Sequence, residues 1–435
     1  MSDRAPQPGF DGPTRRSFLK SSTVAVGGAL AGSMGYARSV HAAGSDTLKV
    51  GLVGCGGRGT GAASDALGAD PNCKLTAVAD TFADNLQTSL ANLKQKFSPD
   101  RIDVPQDRQF VGFDGYQKLL ATDVDVVLLC TPPHFRPAQL RAAIEANKHV
   151  FCEKPVAVDA PGIRSVLATA DEAKRRNLSI VSGLCYRYDQ MKNEVMKQVH
   201  DGAIGDITAM HVTYNTVPLK HHGRDPQWSE MEFQVRNWNY FVWLSGDFNV
   251  EQHVHSLDKA AWAMHDEPPV KATGMGGRQV RSEEQGGNVY DHFSVVYEYA
   301  NGVRLFSFCR QMVGCSGDVT DYLIGTKGTA ELMGAKPSIK GEHPWRYKGP
   351  KPLSMYHLEH KALFAGIRSG NPVNNGLYMS RSTMMGIMGR MAAYTGQTLS
   401  WDQCLSSKDD LTPPKYEWGP AATAPVAKPG ITQFA

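Results

Sequence analysis

A short apolar run at residues 48–53 (Leu-Lys-Val-Gly-Leu-Val) feeds straight into Gly54-Cys55-Gly56-Gly57-Arg58-Gly59, and an Ala-rich segment of helical character follows at 60–67. Strand, G-x-G-x-x-G turn and helix in immediate succession admit few folds. The first glycine makes a turn too tight for a side chain, and the second lets backbone approach a pyrophosphate. The third lets the helix pack on the strand, with its N-terminal N–H groups facing phosphate. A second apolar run, 74–79, ends at Asp80, 21 residues beyond Gly59. A carboxylate there accepts hydrogen bonds from adenosine ribose hydroxyls and repels a 2′-phosphate. Thr81-Phe82-Ala83-Asp84 supplies no cation for such a phosphate, so the spacing favours NAD over NADP.

The alternation continues. Strands are expected at 125–130, 149–152 and 178–182, with helices at 137–146 and 161–176 between them. This is the signature of a doubly wound parallel sheet of Rossmann type, here over residues 46–184. Ligands of such sheets sit beyond the carboxyl ends of the strands. Thr131, Pro132, His134, Glu153 and Lys154 all fall there. From 185 to 412 the pattern changes. Runs at 207–214, 289–299, 303–308 and 322–324 alternate or are β-branched and aromatic, with Asn301-Gly302 as a hairpin turn and 325–328 as a second turn. Helices are expected at 358–369 and 380–395, returning to pack on the first domain. Residues 413–435 are rich in Pro and Ala, an arm or a disordered tail.

Ahead of the first strand, Thr14-Arg15-Arg16-Ser17-Phe18-Leu19-Lys20 reads as a twin-arginine export signal. A weakly apolar run (23–36) and Val40-His41-Ala42-Ala43 follow, with cleavage expected after Ala42. The translocation machinery of that pathway is thus an expected partner, and a periplasmic location is expected. Residues 1–42 hold five basic and two acidic residues, so the remainder carries 41 of each. That balance argues against a nucleic-acid or anionic-membrane surface. No later stretch is long and apolar enough to span a membrane. The eight cysteines form no C-x-x-C pair and several sit in apolar runs, so they are expected to be buried free thiols.

These residues together resemble the glucose–fructose oxidoreductase / inositol dehydrogenase / MocA (Gfo/Idh/MocA) family. The resemblance rests on the glycine turn, Asp80, Thr131-Pro132-Pro133-His134, Glu153-Lys154-Pro155, Tyr186-Arg187-Tyr188, Gly202-x-Ile204-Gly205 and the segment 251–258. It implies an α+β second domain whose open, mostly antiparallel sheet often mediates homo-oligomerisation. It also implies that Gly54, Cys55, Gly56, Gly57, Arg58, Gly59, Asp80, Thr131, Pro132, His134, Glu153 and Lys154 hold NAD. Lys154 would lie beside the nicotinamide and contact the reacting hydroxyl. The family's second-domain motif is Asp, three residues, His, then an acid three further on; here it reads Glu251-Gln252-His253-Val254-His255-Ser256-Leu257-Asp258. On a helix Glu251 and His255 share a face, which makes His255 the candidate acid/base and Glu251 its partner. Two features depart from the family pattern: Glu at 251 in place of Asp, and His253 in place of a small residue.

His253 and His255 would diverge by roughly 200° on a helix, so no metal is expected. His221-His222 reads as a solvated loop. Arg187 and Trp238 are candidate substrate contacts beside His255, since planar donors and aromatic faces suit sugar rings; Tyr240 and Trp243 join them, with core packing as the alternative for the three aromatics. The expectation is an exported NAD-dependent oxidoreductase acting on a sugar, polyol or glycoside, its cofactor bound tightly because one that leaves outside the cytoplasm is lost. An alternative is a glycoside hydrolase or lyase that oxidises transiently and eliminates. A third reading is a non-catalytic ligand-binding module on the same fold.

Overall fold

The computed structural model describes residues 47–282 and 286–435, so the twin-arginine segment and its cleavage site lie outside the described residues. The first sheet is built from β1 (Leu48–Val53), β2 (Cys73–Asp80), β3 (Gln109–Val111), β4 (Val126–Leu129), β5 (His149–Cys152) and β6 (Ile180–Ser182). Between them run α1 (Gly57–Ala69), α2 (Ala83–Lys96), α3 (Gly115–Leu120), α4 (Arg136–Glu145) and α5 (Ala160–Arg175). All pairings are parallel, in the order β3-β2-β1-β4-β5-β6. Strands covered on both faces need apolar residues at every position. The four residues of β4, Val-Val-Leu-Leu, are accordingly all buried. The strand order reverses between β1 and β4, and the glycine turn sits at that switch point, where such sheets open a crevice.

Local sterics explain the turn. Gly54 has φ +93°, and a Cβ there would lie 2.6 Å from the carbonyl carbon of Cys130. At Gly59 a Cβ would lie 1.8 Å from the Gly54 carbonyl oxygen, so α1 approaches β1 only without a side chain.

The second domain follows through α6 (Gln190–His200), β7 (Ile207–Thr216), α7 (Glu230–Arg236), α8 (Val242–Ser245), α9 (Phe248–Glu251) and α10 (Val254–Ala263). Then come β8 (Lys271–Gly277), β9 (His292–Glu298), β10 (Arg304–Gln311), β11 (Asp321–Gly325), β12 (Gly328–Glu331), β13 (Ser338–Gly341) and β14 (Trp345–Arg346). The chain closes with α11 (Met355–Arg368), α12 (Gly376–Thr395), β15 (Leu399–Ser400) and α13 (Trp401–Ser406). The nine strands form one sheet, mostly antiparallel, with β7 and β10 its parallel pair. Burial alternates along β9 and β10, and α10 and α12 pack on the sheet. β8 is absent from the expectations above because Lys-Ala-Thr-Gly-Met-Gly-Gly reads as loop. Its glycines serve close packing: a Cβ on Gly274 would lie 3.1 Å from the backbone nitrogen of Ala393 in α12.

The C-terminal helices return to the first domain. α11 packs on α1, and Arg368 bonds Asp70 at 2.5 and 2.9 Å. Asn375 closes the β6 edge, its Oδ1 accepting the Ser182 N–H (3.0 Å) and the Tyr188 hydroxyl (2.7 Å). Residues beyond α13 form an extended arm, pinned where the Leu411 N–H donates to Asp159 (3.1 Å) and the Gly430 N–H to the Thr395 carbonyl (2.9 Å). All eight cysteines lie among the described residues; none forms a disulfide, and Cys315 alone is exposed.

The two glycine roles separate by mutation. Gly59→Ala forces backbone against backbone and is expected to cost about 3 kcal/mol or more. Gly56→Ala adds a Cβ that meets nothing within 4 Å at an ordinary φ of −68°. The expected outcome is a clear fall in thermal midpoint for the first and none for the second; equal midpoints would contradict the packing assignment.

Candidate active site

The N-terminus of α1 is a ready anion cradle. Gly56, which precedes the helix, and Gly57, its first residue, are bare: neither would place a Cβ within 4 Å of a neighbouring atom, no side chain caps the helix, and no acidic residue occupies its first turn. Unpaired N–H groups and the helix dipole there favour a pyrophosphate. Asp80 closes the end of β2, 9 % exposed, and accepts the Cys55 N–H (2.5 Å) and the Phe82 N–H (2.8 Å). Burial raises its pKa. The Asn85 side chain also donates to Asp80; of the roughly four acceptor sites of a carboxylate one remains for a ribose hydroxyl, so the residues present fit a dinucleotide. The N–H of Cys55, expected to face the cofactor, is instead tied to Asp80.

Four further expected cofactor contacts have protein partners in this structure. The Thr131 hydroxyl donates to Gln139 (2.6 Å), and its carbonyl accepts from the buried Arg136 (2.5 Å). Arg136 also reaches the carbonyl of Pro155, which joins the loops after β4 and β5. His134 is buried, hydrogen-bonds the Tyr416 hydroxyl of the C-terminal arm (2.7 Å) and meets Trp243 edge-on (5.0 Å). Burial pulls its pKa down to about 4. Arg58 turns away from the cradle, donating through Nε to Glu153 and through Nη2 to Glu359 (3.0 Å). Glu153 is buried and also accepts the Lys154 N–H (3.1 Å). A carboxylate removed from water needs a cation and donors, and Arg58 supplies both. Arg58 and Glu153 are therefore partners of each other in this structure. Pro132 stays at the β4 end, half-buried.

The expected continuous helix through 251–258 is broken. α9 ends at Glu251, the chain turns at Gln252 and His253, and α10 begins at Val254. Two side chains on β10 hold the corner: Ser307 meets His253 Nε2 (2.7 Å), and the Gln311 amide donates to Gln252 (2.7 Å). Glu251 is thereby released from His255 and pairs with Lys154, whose Nζ donates to the Glu251 carboxylate (2.9 Å) and carbonyl (2.5 Å). His255 is half-buried, sits edge-on to Tyr186 (5.3 Å, 89°), and its Nδ1 has no protein partner. Burial, then the charges of Lys154 and Lys259, hold its pKa well below 6.5. Lys154 and Glu251 thus pair beyond the carboxyl end of β5, near enough to His255 for the lysine charge to disfavour the imidazolium.

His253 is a core residue, fully buried, with its pKa lowered to about 3 by burial first and Lys259 second. Among the described residues no three His, Cys, Asp or Glu side chains converge as a ligand set. Arg187 is not available to a substrate: it clamps Asp258 (2.8 Å) and Asp266 (2.5 Å) and lies over Tyr378 (4.2 Å). Trp238 is partly buried and packs on the aromatic cluster of Phe82, Phe233 and Phe241. Tyr240 is buried, its hydroxyl on the Leu219 carbonyl (2.6 Å), and the Trp243 indole donates to Gln234 (2.7 Å).

Three residues beside the site were not anticipated. Lys259 is buried with Asp321 (3.0 Å), donates to the His255 carbonyl (2.9 Å) and lies 4.1 Å from the Tyr186 ring. Its spacing, one helical turn past His255, was a usable signal; Asp321, on a distant strand, gave none. Arg236 of α7 reaches the Asp80 end of the groove, over Phe82 (3.9 Å) and paired with Asp84 (3.0 Å).

Fold and site together define a dinucleotide-binding α/β scaffold with a polar site at the strand ends. Residues 48–181 match the family model described as "Oxidoreductase family, NAD-binding Rossmann fold", and residues 193–331 match the Gfo/Idh/MocA C-terminal domain. The chain belongs to this Gfo/Idh/MocA family of NAD-binding oxidoreductases. An inositol 2-dehydrogenase of Rhizobium meliloti is 24% identical over 217 residues, 50% of this chain and 59% of the relative. A glycosyl hydrolase family 109 protein of Streptomyces coelicolor is 31% identical over 170 residues, 39% of this chain and 34% of the relative. These two alignments therefore leave much of each relative's length unmatched. An aldose-aldose oxidoreductase from Caulobacter crescentus, solved with glycerol, shares the fold at TM-score 0.64 and 20% identity, covering 81% of this chain and 99% of that one.

The buried histidines set an acid limit on stability. A histidine whose pKa is depressed on folding stays neutral in the native state, while the unfolded chain takes up its proton near pH 6.5. Stability conferred by neutral His253 is therefore lost as pH falls below about 6.5, by up to about 1.4 kcal/mol per pH unit, towards its folded pKa of about 3. Between pH 6.5 and 4.5 the thermal midpoint of His253→Gln should fall less steeply than that of the wild type; parallel slopes would contradict this.

Proposed function

We propose that this chain is an exported oxidoreductase that oxidises a secondary hydroxyl of a sugar, polyol or glycoside, with NAD held tightly through repeated turnovers. The observation that carries the reading is the Lys154–Glu251 pair (2.9 Å) beside the half-buried His255, at the strand ends next to the glycine cradle. Gly56, Gly57 and the N–H groups of α1 would hold the pyrophosphate, and Asp80 the adenosine ribose. NAD, when bound, supplies the hydride acceptor. Lys154, fixed by Glu251, donates a hydrogen bond to the substrate hydroxyl and favours negative charge on that oxygen as its proton departs. His255 is neutral and has a free acceptor capacity for that proton. Burial and the Lys154 charge disfavour the imidazolium, so His255 releases the proton to bulk water rather than storing it. Loss of hydride from carbon and of the proton from oxygen leaves a ketone.

The glycosyl hydrolase family 109 relatives support a second reading. Oxidation beside a glycosidic position acidifies the neighbouring C–H, the leaving group departs by elimination, and water addition and reduction complete a redox-neutral cleavage. Export is supported by Arg15-Arg16 and the apolar run behind them. Homo-oligomer formation is supported by apolar side chains left exposed on the second sheet, such as Met275 on β8 and Phe306 on β10.

The decisive screen uses protein purified without added nucleotide, tested for bound NAD and offered sugars, polyols and glycosides with product analysis. A ketosugar with net NADH supports oxidation; a released aglycone without net NADH supports cleavage. Lys154→Ala and His255→Ala should each lower turnover by about 10² or more with NAD still bound; wild-type rates in both would refute the assignment. In cell fractionation the wild type should be periplasmic and the Arg15→Lys/Arg16→Lys variant cytoplasmic; an unchanged distribution would contradict export by that route.

A further inference from the structure

We propose that the C-terminal arm is part of the dinucleotide site: Tyr416 and Trp418 close the adenosine end of the groove, and the nucleotide exchanges only when they lift. The proposal rests on the reading of that groove as an NAD site and adds to it residues that no motif assigns.

A narrow cavity at the strand ends, beside Val53 and Asp80, is lined by Phe113, Thr131, Phe135 and Gln139 among others. The arm covers its aromatic walls. The Trp418 ring lies 4.8 Å from Phe113, and Tyr416 lies 5.9 Å from Phe113 and 5.6 Å from Phe135. Trp418 also stacks on Phe82 at 5.4 Å and 25°. Phe82 stands two residues past Asp80 and donates its N–H to that carboxylate (2.8 Å). The arm therefore touches both the loop that carries the ribose acceptor and the loop after β4. Adenine is a flat aromatic heterocycle, and indole and phenol rings are the side chains that stack on such surfaces.

The way the arm is fastened suits a flap. Its two sides are anchored through backbone: the Leu411 N–H on Asp159 (3.1 Å), then the Gly419 carbonyl accepting from the Met231 N–H (3.1 Å) and the Ala421 carbonyl from Gln234 (3.2 Å). Between these anchors Tyr416 and Trp418 remain 40% and 46% exposed and hold the body by ring contacts and the His134–Tyr416 hydrogen bond (2.7 Å). The span from 412 to 418 can lift while the flanking anchors stay in place. His134, buried and neutral, is then the latch of the flap rather than a cofactor ligand.

The test compares wild-type protein with Tyr416→Ala/Trp418→Ala, both purified without added nucleotide. Bound NAD is measured after gel filtration, and the off-rate of bound NADH by fluorescence on chasing with excess NAD. The double variant should lose NAD that the wild type keeps and release NADH at least about tenfold faster, while Trp418→Phe alone, which keeps an aromatic ring and the His134–Tyr416 bond, retains the slow rate. In wild-type protein first stripped of nucleotide, hydrogen exchange over residues 412–420 should slow when NAD is added back, a readout that stands even where the double variant is unstable. Equal off-rates in folded proteins, or exchange over 412–420 indifferent to NAD, would overturn the role of the arm and leave the groove as an NAD site. Failure of the wild type to bind NAD at millimolar concentration would overturn the reading of the groove itself, and the arm with it.

Discussion

One ion pair joins the two halves of this molecule at the place where chemistry is expected. Lys154 stands two residues beyond β5 of the parallel sheet, and Glu251 ends the single turn of α9 in the second domain; their charged atoms stand 2.9 Å apart with side chains 15% and 13% exposed. Partial exclusion of water makes each partner costly to leave alone. The pair therefore fixes the separation between the strand ends and the corner that carries His255. Everything polar nearby is arranged in its favour. Arg58 neutralises Glu153, the immediate neighbour of Lys154, so the buried acid does not compete for the lysine. The Lys259–Asp321 pair lies beneath His255 and contributes to keeping the imidazole neutral.

The site is assembled from both domains, and its two ends are built on different physics. At the cradle the protein offers absence: glycines without side chains, a helix without a cap, N–H groups without partners. At the strand ends it offers fixed charge in a half-dry setting, where position is decided by ion pairs. The C-terminal arm and α7 meet over the loop after β2, so the Asp80 end of the groove is walled by Arg236, Phe82 and Trp418, residues 154 to 336 positions apart in sequence.

What the sequence disclosed follows from how local each cause is. The glycine turn, the strand before it and the placement of Asp80 and Lys154 depend on neighbours a few residues away, and they were legible. The break between Glu251 and His255 was not: helical periodicity favours one continuous helix, and Ser307 and Gln311, more than fifty residues later, override it. The same distance hid the partners of Arg58 at Glu153 and Glu359, and the Arg187–Asp258 clamp, whose arginine looked like a sugar ligand on residue type alone. β8 was missed because glycine lowers strand propensity where close packing against α12 requires it. The Pro/Ala-rich composition of the arm concealed two aromatic residues that dock it.

Lys154 and its partners are proposed to handle the proton of a hydroxyl as hydride leaves the carbon that bears it. Stopped-flow absorbance at 340 nm tests this most directly, with protein carrying stoichiometric NAD mixed with a panel of sugars, polyols and glycosides. At least one compound should produce a single-turnover rise in the wild type, slowed at least about a hundredfold in Lys154→Ala that retains its NAD. A rise of equal rate and amplitude in both proteins would contradict the account.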